Sequence, residues 1–212
     1  MPLSEPVARE LMHQRDIQVR GYLRADANFD IEASLVDTKT EGFNSHGRGW
    51  VAPGEPLHQM RVRMTIDSAM VILSCEAVTE QGPFPVCPGG AASMSRLAGL
   101  TIKAGFLKAA NHVLGGTTGC THLRELLQQM ATVAFQTMWP VRSRREAAAM
   151  AEQPAVVAGP RAEDGSARML NTCFAYASSS PVVAQRWPHL YTGPDAVHPA
   201  LGQLAAADSG QG

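Results

Sequence analysis

Between Ile17 and Thr38 the chain alternates apolar and polar side chains through two runs that flank a short polar stretch, ADAN, at residues 25–28. In the first run Ile17, Val19, Gly21 and Leu23 share one face; in the second, Phe29, Ile31, Ala33 and Leu35 do. Strand side chains point alternately to opposite sides, so this pattern builds a sheet with one dry and one wet face. The polar insert joins the two runs as a hairpin. A one-residue slip in pairing would turn the whole apolar set to water, so the register is tightly specified and a second layer must cover the dry face.

The next alternation, Leu57 to Ile66, puts His58, Met60, Val62, Met64 and Ile66 on one face and Gln59, Arg61, Arg63 and Thr65 on the other. His58 therefore points with the apolar residues. A turn at residues 67–69 (DSA) leads into a return strand, residues 70–78, which completes a second hairpin. The Gly- and Pro-rich segment from Thr40 to Pro56 reads as a long loop between the hairpins. After Glu80 a Pro/Gly-broken passage enters a short helix, and Ala104 to Leu114 reads as another, closed by Gly115 and Gly116. The longest helix follows, with Leu123, Leu126, Leu127, Met130, Ala134 and Thr137 at helical spacing, Thr118 or Thr121 as N-cap and Pro140 at its end. REAAAMAE, residues 145–152, can extend it, and residues 153–166 read as a linker.

The expected fold class is α+β: an antiparallel sheet of about four strands in two hairpins, packed against several helices, with an irregular C-terminal extension. One domain is expected over residues 1–193, with a sheet over 15–80, a helical layer over 81–140, a helix and linker over 141–166, and an extension over 167–193. Residues 194–212, rich in Gly and Ala, are expected to form a loosely held tail.

Charge and composition exclude whole classes of function. The formal net charge is −1 and no basic run exceeds RSRRE at residues 142–146, so nucleic acid is not an expected partner. The first residues lack a basic stretch leading into an apolar core, and no window approaches eighteen uninterrupted apolar residues, so neither a signal peptide nor a membrane span is expected. The expected location is cytoplasmic. A reducing compartment leaves Cys75, Cys87, Cys120 and Cys173 as packing residues, nucleophiles or metal ligands rather than disulfides. For each one alone, an inert buried thiol is the ordinary reading.

His58, Cys87, Cys120 and His122 are nitrogen and sulfur donors of the kinds that suit zinc or iron. They are spaced unlike a zinc finger and must be assembled across a strand, a loop and a helix start. Cys120 precedes the longest helix, where the positive end of the helix dipole favours a thiolate. The ordinary alternatives are a core histidine for His58 and an exposed first-turn residue for His122. A second set, Arg20, Arg24, Asp30, Glu32, Asp37 and Lys39, reads as the solvated outer face of the first hairpin, with Asp37-Thr38-Lys39 alternatively lining a pocket for a charged group. No nucleophile elbow is present, and GGTTG at residues 115–119 lacks the ending of a phosphate loop.

RDIQVRGYLRADANFDIEASLVDTK, PLHQMRVRMTID, LAGLTIKAGF, LGGTTGCTHLRELLQQMATVAFQ and CFAYASSSPVVAQRWPHLYTG, spread over Arg15 to Gly193, resemble a bacterial family known as domain of unknown function 2889. That family's pattern implies an Asp where this chain has Gln59. More distantly, the order of strand, return strand, loop cysteine and helix-start cysteine is similar to iron–sulfur cluster scaffolds of the NifU/IscU type. That resemblance implies a small antiparallel sheet with helices on one side and a site of three cysteines and an aspartate. It places Cys87 and Cys120 on two of the thiolates and His58 closest to the aspartate, with no third cysteine in PLHQM.

The leading expectation is a metal-dependent small-molecule enzyme. His58, Cys87 and Cys120 hold Zn²⁺ or Fe²⁺ with one open position, and His122 or Asp37 handles the proton in hydrolase or lyase chemistry on a small organic, acyl or aromatic, substrate. The alternatives are a sulfur-transfer or scaffold-like accessory protein and a non-catalytic binding domain. A homo-oligomer is left open.

Overall fold

The computed structural model describes residues 2–151 and 169–194. Contacts divide the chain into two compact units, Met1–Glu152 and Gln153–Gly212. The linker expected over 153–166 lies outside the described residues, as does the expected tail from residue 195 on.

The first unit carries the antiparallel sheet. Strands β1 (His13–Leu23), β2 (Phe29–Lys39), β5 (His58–Ile66) and β6 (Ile72–Gln81) lie in the order β1-β2-β5-β6. The expected α+β class and the two hairpins are found as read. Register follows the apolar pattern: Ile17, Leu35 and Met60 form one row across three strands, and Val19, Ala33 and Val62 form the next. Gly21, Ile31 and Met64 form a third, and Leu23, Phe29 and Ile66 a fourth. On β2 and β5 every apolar member of these rows is buried. The opposite face carries Glu32, Arg63 and Glu76, linked through the Arg63 guanidinium, which is the wet face the alternation required.

Helices α1 (Cys87–Ala92), α2 (Phe106–Leu114) and α3 (Thr121–Ala151) follow β6. Phe106, Ala110 and Leu114 repeat every four residues and bury one stripe of α2. Leu123, Leu126, Leu127, Met130, Ala134 and Met138 do the same for α3 and close the core over the sheet. Each such leucine contributes about 1.5–3 kcal/mol by leaving water.

Three local expectations are corrected. The segment from Thr40 to Pro56 is not a bare loop: β3 (Phe43–Ser45) and β4 (Gly49–Val51) pair across a tight turn, with Gly49 at φ 79° and Val51 anchored in the interior. Pro140 does not end α3, which continues to Ala151. Pro140 is exposed, so the carbonyl deprived of its helical donor one turn earlier stays in reach of water, and the Ala-rich segment beyond favours helix. Neither threonine caps α3: the Thr118 hydroxyl donates to the Gly115 carbonyl, and Thr121 is already helical. The Cys120 carbonyl accepts the first helical bond, from the Arg124 N–H at 3.1 Å.

In the second unit, α4 (Pro181–Arg186) starts with Pro181 in its first turn, and the Ser180 hydroxyl accepts from the Val183 N–H at 3.3 Å. Tyr176 packs against Trp187 with ring centroids 5.6 Å apart. Among the described residues no helix is long and apolar enough to cross a membrane.

Helix α3 passes so close to β1 that a Cβ on Gly21 would lie 1.8 Å from Thr137 Oγ1 and 2.8 Å from Thr137 Cβ. Gly21→Ala is expected to cost about 1–3 kcal/mol by forcing helix and strand apart. The loss should shrink in a Thr137→Ala background, where the hydroxyl and methyl are gone; urea unfolding of the four chains of this double-mutant cycle measures it.

Candidate functional site

The apolar rows of the sheet end in a polar one. The register that aligns Ile17, Leu35 and Met60 places Arg15, Asp37 and His58 side by side one step further along, as direct cross-strand partners on the helix-covered face. Asp37 thus occupies a core position, with 1% of its surface exposed. A carboxylate there needs partners, and Arg15 supplies two: Nε donates to Oδ1 at 2.7 Å and Nη2 to Oδ2 at 2.8 Å. His58 Nδ1 lies 3.0 Å from Oδ2 on the other side. His13, on the same strand as Arg15, holds Nε2 3.5 Å from Oδ1.

Helix α3 lowers its first turn onto this row. His122 stacks on His58 with ring centroids 3.9 Å apart and planes 34° from parallel, and its Nε2 reaches 4.0 Å from Asp37 Oδ2. Three residues later, on the same helical face, Glu125 accepts from Arg15 Nη1 at 2.6 Å. Arg15 therefore ties sheet and helix together at the site.

These contacts set the ionisation states. Burial pushes the Asp37 carboxyl up, but the Arg15 hydrogen bonds and charge, with a smaller contribution from His58, bring it below its ordinary value. It stays ionised and only accepts, so the proton shared with His58 belongs to Nδ1. Burial lowers the His58 pKa, the neighbouring His122 lowers it further, and Asp37 opposes both without reversing them. At neutral pH His58 is a neutral imidazole with its Nδ1–H on a carboxylate, and its Nε2 carries a lone pair.

Of the residues picked out by the sequence, Asp37, His58 and His122 converge: one ligand atom from each lies within 4.8 Å of the others. Among the described residues no Cys joins a group of three such donors. Cys120 is next to it, with Sγ 3.8 Å from His122 Nδ1. Cys87 opens α1 and packs on Gly82, where a Cβ would lie 3.3 Å from its Sγ. Gly90, in the same short helix, sits against Cys120, with an added Cβ 3.1 Å from the cysteine Cβ. Cys75 is buried in β6, which pushes its thiol up to about 12. Cys173 lies exposed in the second unit.

Asp37 does not belong to the solvated outer face with Asp30 and Glu32. It has the odd-numbered parity of Phe29, Ile31, Ala33 and Leu35 and so points inward with them. Arg15, which the sequence reading passed over, has the parity of Ile17 and Val19 for the same reason. Glu125 and His13 were passed over as well. Periodicity extended by one step on β1 and β2 finds Arg15 and Asp37; nothing local marks Glu125.

The family model described as Protein of unknown function (DUF2889) matches residues 13–136. The chain belongs to that family. The match runs from the first residue of β1 into α3 and takes in every residue of the polar row and its helical cover, from His13 to Glu125. It does not take in the last stretch of the sequence resemblance, Cys173 to Gly193. No curated protein and no solved structure matches the chain.

Acid should weaken this unit in two steps. The folded state resists protonating His58, so stability is expected to fall as pH drops below the ordinary histidine value of 6.5. Asp37 contributes stability that is present above its ordinary value of 3.8 and is lost as pH falls through its lower folded value. Urea unfolding across this range should show both losses. His58→Gln should remove the upper one, and Asp37→Asn should cost about 1.5–3 kcal/mol at neutral pH with a gap to wild type that closes in acid.

Proposed function

We propose that the chain is a metal-dependent enzyme acting on a small organic substrate by hydrolase or lyase chemistry, with Zn²⁺ or Fe²⁺ held by Asp37, His58 and His122. One observation carries this reading: two imidazoles and one ionised, buried carboxylate bring ligand atoms within 4.8 Å of one another. Two histidines and a carboxylate leave coordination positions open, as in catalytic zinc and non-haem iron sites. A divalent cation there supplies a Lewis acid and a source of hydroxide at neutral pH. Arg15 and Glu125 then orient the ligands: the guanidinium fixes the carboxylate, and Glu125 fixes the guanidinium.

This reading replaces the ligand set His58, Cys87 and Cys120 with one that keeps His58 and takes Asp37 and His122 from proton transfer into coordination. It also favours a single resident ion over a scaffold of the NifU/IscU type, because the converging donors are nitrogen and oxygen rather than sulfur. A metal-free reading has one observation in its favour. Asp37 Oδ2 already accepts the His58 Nδ1 proton at 3.0 Å, which is how a carboxylate orients an imidazole whose other nitrogen serves as general base.

Metal titration by calorimetry, with elemental analysis of protein purified without a metal-binding tag, separates the two. The metal reading expects one Zn²⁺ or Fe²⁺ per chain, lost in His58→Ala and His122→Ala and bound about 10–100-fold more weakly in Arg15→Gln. A folded chain that binds neither ion, or that binds it equally well without His58 and His122, rejects it.

A further inference from the structure

Strand β1 has a neighbour on one side only: among the described residues the sheet begins with it. It runs for 11 residues in unbroken register with β2, without proline or bulge, and all of it is exposed or half-exposed. The ladder reveals which backbone groups face outward. The Arg24 N–H bonds to the Asn28 carbonyl and the Thr40 N–H to the Met12 carbonyl, so even-numbered residues exchange hydrogen bonds with β2. The odd-numbered residues His13, Arg15, Ile17, Val19, Gly21 and Leu23 therefore turn their N–H and C=O groups to the free edge. Such an edge is a template for another strand unless something blunts it.

We propose that this edge is the interface between two copies of the chain, paired antiparallel about a twofold axis at Gln18. Side-chain chemistry selects both the occupant and the register. Centred on Gln18, the pairing sets Asp16 against Arg20 of the second copy, and Arg20 against its Asp16, on the outer face of the sheet. Neither residue has an ion-pair partner among the described residues: Glu32, the cross-strand neighbour of Arg20, is taken by Arg63 at 2.7 Å. On the helix-covered face the same register sets Ile17 against Val19, two half-buried apolar residues that the core leaves partly open. It sets Arg15 against Gly21, which adds no side chain of its own to the seam. The odd pairs exchange the backbone hydrogen bonds, and the Asp16–Arg20 pairs fall at the closer, non-bonded positions where side chains interact most.

Thr137 of α3 sits on Gly21 of β1, so the helix layer covers the sheet as far as its edge strand. A twofold axis normal to the sheet keeps both copies of α3 on the same face of a continuous eight-stranded sheet, flanking the new β1–β1 seam.

Sedimentation velocity on the full chain across a concentration series tests the proposal. The wild type is expected to dimerise. Asp16→Arg and Arg20→Asp each put like charges together twice per dimer and should raise the dissociation constant about tenfold or more, while the double variant Asp16→Arg/Arg20→Asp restores it. Val19→Pro removes an N–H that only the second copy uses, so it should yield a folded monomer, checked by circular dichroism. A wild-type chain that stays monomeric throughout, or a dimer indifferent to both single reversals and to Val19→Pro, overturns the proposal.

Discussion

A carboxylate with 1% of its surface in water is tolerable only when its charge is met on the spot, and Arg15 meets that of Asp37 with two hydrogen bonds. The rest of the polar end depends on this pair. Because the carboxylate is held ionised, it fixes the tautomer of His58. Because the same guanidinium also reaches Glu125, the first turn of α3 is tied down where His122 can stack on His58. Removing either member of the pair leaves a charge in an environment built for two.

The sheet makes the arrangement economical. Three adjacent strands contribute one residue each to the row, and the register that delivers them is the one that the apolar rows beneath already require. Core packing thereby positions the site. The same register keeps β1 free of bulges and leaves its outer edge intact, so a single strand carries the Arg15 anchor of the site and, in the proposed pairing, the seam with a second copy.

How far the site was legible can be judged residue by residue. His58 stood out because it interrupts an apolar face while keeping its parity. Asp37 and Arg15 obey the same rule at the ends of β2 and β1, but among so many alternating charges they read as a solvated surface. Composition argued for water and parity argued for the core, and parity was the physical determinant. Cys87 and Cys120 drew attention as sulfur donors, one in a Pro/Gly-rich loop and one at a helix start. Helix α3 brings Cys120 beside the cluster, with Sγ 3.8 Å from His122 Nδ1, while Cys87 packs on Gly82, and nitrogen and oxygen are the atoms that converge.

The sequence by itself determined the two hairpins, the inward faces of β1, β2 and β5, the buried stripes of α2 and α3, and, through parity, the inward direction of Arg15, Asp37 and His58. These follow from the periods of strand and helix, which are local properties of the backbone. Only the tertiary structure decided that the first turn of α3 lands on the Asp37 end of the sheet. That placement makes His122 a partner of His58 and Glu125 a partner of Arg15, across 64 and 110 residues of chain. No local pattern encodes it, because it depends on how the connection from β6 through α1 and α2 packs before α3 begins. The long reach of α3 past Pro140 belongs to the same category: the proline is accepted because its turn faces water, which is a fact about packing rather than propensity.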